Sequence, residues 1–152
     1  MKVNRRKFLK TSIALSAAGV GLLESSVANA EWTAADFALG PLDATMKQLF
    51  KGKPIVETDK IDLNIPEIAE NGALVPVSVT TSLKDIQGIA ILVEQNPVPL
   101  AIQVELMPEL EPFMSARLKM ANTSFVFALV ETEKICYSFK KKVKVTIGGC
   151  GG

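Results

Sequence analysis

The chain has 152 residues, with 17 Lys and Arg against 16 Asp and Glu, two cysteines and no histidine. The lack of histidine excludes Cys–His and Ser–His nucleophilic sites, and zinc or copper centres built on imidazole. No glycine-rich phosphate loop opens a helix after a strand, and no basic excess marks a nucleic-acid surface.

In chain order, Lys2, Arg5, Arg6, Lys7 and Lys10 precede an apolar run from Ser12 to Leu23, closed by Glu24 and followed by Ala28-Asn29-Ala30. The run is about 12 residues, short of the ~20 that span a bilayer, and small residues at 28 and 30 suit a signal peptidase. Residues 1–30 are therefore expected to be a removable export signal, with Glu31 opening the mature chain and the periplasm as destination. Arg5-Arg6 followed by Phe8-Leu9-Lys10 resembles the twin-arginine signal, with Asn4 where Ser or Thr is usual. That route carries proteins already folded, often with a partner bound. Of the 17 basic and 16 acidic residues, five and one lie in the signal, which leaves 12 and 15 and a formal net charge of −3.

The mature length predicts one domain. Leu42, Met46, Leu49 and Phe50 recur at helical spacing between Pro41 and Gly52, which predicts a short amphipathic helix over 41–51. Everything beyond reads as strand. Ile61, Leu63 and Ile65 alternate with polar residues and stop at Pro66. Asn71-Gly72 signals a turn into Leu74–Val79, where Pro76 argues for an edge strand or a bulge. Ile89–Val93 is continuously apolar, as expected of a strand buried on both faces. Asn96-Pro97-Val98-Pro99 turns the chain into Leu100–Leu106, and an acidic loop, "PELEP", follows; its Glu109 and Glu111 read as solvated carboxylates. Met114, Ala116, Leu118 and Met120 then alternate with polar residues. Phe125–Val130 and Lys134–Ile147 complete the set, the latter as one long strand or two short ones. Seven or eight short strands between Pro, Asn and Gly turns predict an all-β fold, an antiparallel immunoglobulin-like β-sandwich. Lys134, Lys140, Lys141, Lys142 and Lys144 read most simply as a solvated strand face that discourages edge pairing, with an anion-attracting surface as the alternative.

The chain ends "VTIGGCGG". Gly148, Gly149, Gly151 and Gly152 give the backbone around Cys150 wide conformational freedom and a thin cross-section. Extended at ~3.3–3.6 Å per residue, the segment 148–150 reaches about 10 Å, enough to push a thiol into a narrow channel on another protein. The nearby terminal carboxylate disfavours thiolate, so this is a thiol presented for chemistry that others supply. Cys136, between Ile135 and Tyr137, reads as a small apolar residue with a free, buried thiol. A Cys136–Cys150 disulfide would need a turn near Lys140–Lys142.

The ending "KVKVTIGGCGG", the upstream "ENGALVPV" and the twin-arginine signal together resemble the SoxY family, sulfur carriers of the Sox thiosulfate-oxidation system. The resemblance implies that Cys150 is the covalent attachment point and that Gly148, Gly149, Gly151 and Gly152 form a swinging arm (148–152) beyond a carrier domain (31–147). Cys136 is outside the family's motif. The resemblance also implies partners: a SoxZ-like subunit in a heterodimer, a c-type cytochrome enzyme that conjugates thiosulfate, and a metal-dependent hydrolase that releases sulfate. A molybdenum–haem dehydrogenase able to oxidise the remaining sulfane sulfur is a further partner. No cofactor of the carrier itself and no catalytic residue is implied. Two other classes share features of the tail. A Gly-Gly thiocarboxylate carrier would use the carboxylate of Gly152, and an exported structural or adhesive sandwich would use Cys150 as a disulfide link.

Overall fold

The computed structural model describes residues 40–147. One helix, α1 (Leu42–Leu49), is followed by nine strands: β1 (Ile55–Glu57), β2 (Ile61–Asn64), β3 (Ile68–Asn71), β4 (Val75–Thr81), β5 (Ile86–Val93), β6 (Leu100–Glu105), β7 (Phe113–Leu118), β8 (Ser124–Thr132) and β9 (Cys136–Ile147). The helix falls where the spacing predicts it. Pro41 precedes it in an extended conformation, and the chain leaves through Lys51 and Gly52, both at positive φ. There glycine is the residue that adopts such a turn without strain.

Two sheets form the body. The larger runs β1-β9-β8-β5-β6 with β3 also on β9, and the smaller runs β2-β4-β7. The alternation of β5 shows how the layers stack. Ile89, Ile91 and Val93 enter the core between the sheets, with Leu63, Val77, Val79, Met114, Leu118, Val126 and Val143. Ala90 and Leu92 point to the opposite face, where Met46 and Leu49 of α1 and Phe50, which caps it, cover them together with Leu129 and Cys136. The expectation that Ile89–Val93 is buried on both faces therefore holds, because β5 is central in its sheet and covered on each side. Each fully buried aliphatic side chain here contributes on the order of 1.5–3 kcal/mol.

The pairings β5–β6, β5–β8, β8–β9, β2–β4 and β4–β7 are antiparallel, as the sandwich reading requires. β1 and β3 depart from it, since both pair β9 in parallel. They also share one edge of β9. The N–H groups of Cys136 and Lys144, an even number of residues apart, donate to the carbonyls of Pro54 and Glu67. One expectation needs correction. Pro76 lies on the middle strand of its sheet rather than an edge strand, yet β2 reaches β4 only from Ser78 onward, so the missing N–H at position 76 breaks no ladder on that side. β9 is a single 12-residue strand with β8 on one side; on the other, β1 pairs it only through Ser138 and β3 only from Lys144, so Lys140 and Lys142 lie on a stretch with no strand partner on that side among the described residues, as a face that discourages edge pairing would.

Candidate functional site

Every residue that the sequence singles out for chemistry, Cys150 with Gly148, Gly149, Gly151 and Gly152, lies outside the described residues, as does the export signal. What the structure supplies is the root from which that segment departs, the C-terminal end of β9. Its final residues are held on both sides. On one side, Lys144, Val145 and Ile147 register with Ile68, Ala69 and Asn71 of β3. The Gly72 N–H donates to the Ile147 carbonyl at 2.8 Å, and the Thr146 hydroxyl donates to the Glu70 carbonyl at 2.9 Å. On the other side, beyond the end of β8, the Val145 N–H donates to Thr123 Oγ1 at 2.9 Å.

The turn that makes these bonds is itself braced. Asn71 Oδ1 accepts the Ala73 N–H at 2.9 Å, the local bond that lets Asn initiate a turn. The Gly72 carbonyl accepts the Met120 N–H at 2.7 Å, and Met120 is fully buried. Gly72 thus links the end of β9 to the segment that follows β7. The order of the fold is therefore fixed through Ile147, one residue before the glycines begin. Sequence reading marked Asn71-Gly72 as a turn and "ENGALVPV" as part of a resemblance. It did not find the contact with Ile147 or the one with Thr123.

The two ends of β9 differ sharply. Cys136 at its start is a free cysteine with no exposed surface, enclosed by α1, Ala90, Leu92 and Leu129. Burial pushes its thiol up from the ordinary 9.0 to about 12; the Glu131 carboxylate adds to this and the Lys53 ammonium partly opposes it. Lys53 is held there by Glu131 at 2.7 Å and by the Thr132 carbonyl at 2.9 Å. A protonated, enclosed thiol is inert as a nucleophile. At ~3.3 Å per residue, Cys136 and Ile147 are on the order of 36 Å apart along the strand, and three further residues span only about 10 Å. No turn occurs at Lys140–Lys142. An intramolecular Cys136–Cys150 disulfide is therefore incompatible with the folded chain, and the reading of Cys136 as a buried free thiol stands. Among the described residues, no group of three His, Cys, Asp or Glu side chains could hold a metal ion.

A family model described as "SoxY: Sulfur oxidation protein SoxY" matches residues 46–150, a span that runs from α1 to the tail cysteine. The chain belongs to the SoxY family. A solved SoxY structure, that of the sulfur carrier protein SoxY from Chlorobium limicola f thiosulfatophilum, is 37% identical to it with a TM-score of 0.65. The match covers 70% of this chain and 96% of that one, so the SoxY fold accounts for nearly the whole of the solved protein. No curated protein sequence matches the chain.

Proposed function

We propose that this protein is a periplasmic carrier of sulfur compounds in thiosulfate oxidation, holding its intermediates on Cys150. The observation that carries the reading is the position of the family's match. It extends to residue 150, three residues beyond Ile147, whose carbonyl accepts the Gly72 N–H. A thiol that follows a pair of glycines, on a root hydrogen-bonded on both sides, suits delivery. The same chain keeps its second thiol sealed in the core, where it cannot compete.

The chemistry follows the resemblance. Conjugation removes the thiol proton and two electrons, and joins Cys150 Sγ to the outer sulfur of thiosulfate as Cys–S–S–SO3−. The electrons pass to a c-type cytochrome enzyme. Water then attacks the sulfonate sulfur under a metal-dependent hydrolase, the S–SO3 bond breaks, and sulfate leaves a persulfide on Cys150. A sulfane dehydrogenase is the enzyme class that can oxidise what remains. In this scheme the carrier is not an enzyme and needs no cofactor of its own. It works as a heterodimer with a SoxZ-like subunit, and Arg5-Arg6 directs the folded pair through the twin-arginine route.

Replacing the nucleophile tests this directly. Cys150→Ser should abolish thiosulfate-dependent turnover in a reconstituted system while leaving thermal stability unchanged, because position 150 follows Ile147, at which β9 ends, and two glycines. Cys136→Ala should keep turnover. Turnover that persists in Cys150→Ser contradicts the carrier role, and modification found on Gly152 would instead favour thiocarboxylate chemistry.

A further inference from the structure

The outer face of the larger sheet is divided. Near Cys136, α1 covers it; toward the end of β9 no element among the described residues does. On that open half, Lys140, Lys142 and Lys144 alternate along β9 and all three are exposed. Lys140 Nζ sits 5.7 Å and 5.8 Å from the ring centres of Phe125 and Phe127, and Lys142 Nζ sits 5.9 Å from that of Phe125. The rings hold the ammonium groups over the sheet by cation–π attraction without neutralising them. Among the described residues, none of the three has a carboxylate within ion-pair distance; the one such pair is Lys53–Glu131. Lys141 points the other way and donates to the Leu63 carbonyl at 2.6 Å.

The charge is concentrated here against the trend of the chain. Four of the 12 basic residues of the mature protein lie at positions 140–144, and without them the rest has 8 basic against 15 acidic residues, a net of −7. The row also runs straight to the root of the tail. Beside it, Ile68, which registers with Lys144, is 59% exposed. Any enzyme that takes the tail into its active site has to sit against this end of the molecule.

Resting on the carrier reading above, we infer that Lys140, Lys142 and Lys144 form a docking face for an acidic protein surface, the rim around the opening through which a partner enzyme admits the tail. Charge suits a carrier that visits several enzymes in turn. Complementary fields speed and orient encounter without building a tight, slowly released interface. The acidic remainder of the chain makes the molecule electrically lopsided, so the same field that draws the lysine row toward an acidic rim turns the tail to lead.

The experiment uses the mature carrier with its partner subunit and a tail-processing enzyme, and measures turnover against carrier concentration at low and high salt. For the wild type, KM for the carrier should rise with salt. Lys140→Glu with Lys142→Glu and Lys144→Glu should raise KM at low salt by about tenfold or more and remove that salt dependence, with kcat nearly unchanged. The milder Lys142→Gln with Lys144→Gln, which keeps the alkyl stems over the sheet, should shift KM in the same direction by a smaller factor. Replacement of all three by Arg should restore wild-type behaviour. Alkylation of Cys150 by iodoacetamide should proceed equally in every variant. Unchanged KM and salt dependence would overturn the proposal. So would a fall in kcat at constant KM, because the lysines would then act on the bound anion rather than on a protein surface. If the wild type itself supports no turnover, the carrier reading fails first.

Discussion

β9 begins and ends in opposite environments: Cys136 lies in the first, and the segment that holds Cys150 departs from the second. At the start, α1 and the outer face of β5 and β8 enclose Cys136, and burial keeps its thiol protonated up to about 12. At the other end, the backbone is pinned through Ile147, whose side chain is 69% exposed, and the glycines follow. One strand thus separates a thiol kept out of chemistry from the root of the segment whose thiol is proposed to do it. The separation itself matters: a second reactive cysteine within reach of the tail would close an internal disulfide and silence the carrier. A stiff strand on the order of 36 Å long prevents that.

The largest expected effect compares the two thiols directly. In the native protein a small alkylating reagent should label Cys150 rapidly. Labelling of Cys136 requires the core to open, and should be slower by at least about 10³-fold. In denaturant the two should react at similar rates. Equal labelling in the native state would show that the core end of β9 is not sealed.

A smaller effect is expected at the root. Gly72→Pro removes the N–H that holds the Ile147 carbonyl, at a cost of about 1–3 kcal/mol for the unpaired group and the altered turn. If the fixed root positions the tail, turnover should fall several-fold while Cys150 alkylation is unchanged. A loss of stability with full turnover would mean that the anchor serves the fold alone.

The smallest effect is at Cys136. In the unfolded chain the thiol ionises near 9.0, whereas in the fold it stays protonated to about 12. Above pH 9 the unfolded state therefore binds fewer protons, and stability falls as pH rises, by up to about 1.4 kcal/mol per unit within that window. Cys136→Ala should lower stability near neutrality by about 1 kcal/mol and lack this thiol's contribution to the alkaline decline. Urea unfolding at pH 8 and pH 10 for both proteins measures the difference.

How much of this was legible depends on where the signal lies. The helix, the doubly buried β5 and the alternating β7 are written as local periodicity, and local periodicity can be read. β1 and β3 are not: all three residues of β1 are exposed, and only Ala69 of β3 is buried, so neither presents a pattern. They are strands only because β9, some 70 to 80 positions later, accepts them on one edge. The lysines illustrate the same limit. Their alternation marks a strand face, but whether that strand lies at an edge depends on partners that the stretch itself does not encode. For the tail, glycine pairs around a cysteine are a strong local signal, whereas its root rests on a hydrogen bond between residues 72 and 147.

The measurement closest to the central claim is mass mapping of the carrier after turnover with thiosulfate and the conjugating enzyme. Cleavage after Lys134, Lys140 and Lys144 places Cys136 and Cys150 on different peptides, 135–140 and 145–152. A thiosulfonate adduct is expected on the peptide 145–152, dependent on thiosulfate and removed by reductant, with the peptide 135–140 unmodified. An adduct on Cys136, or turnover with Cys150 unmodified throughout, would contradict it.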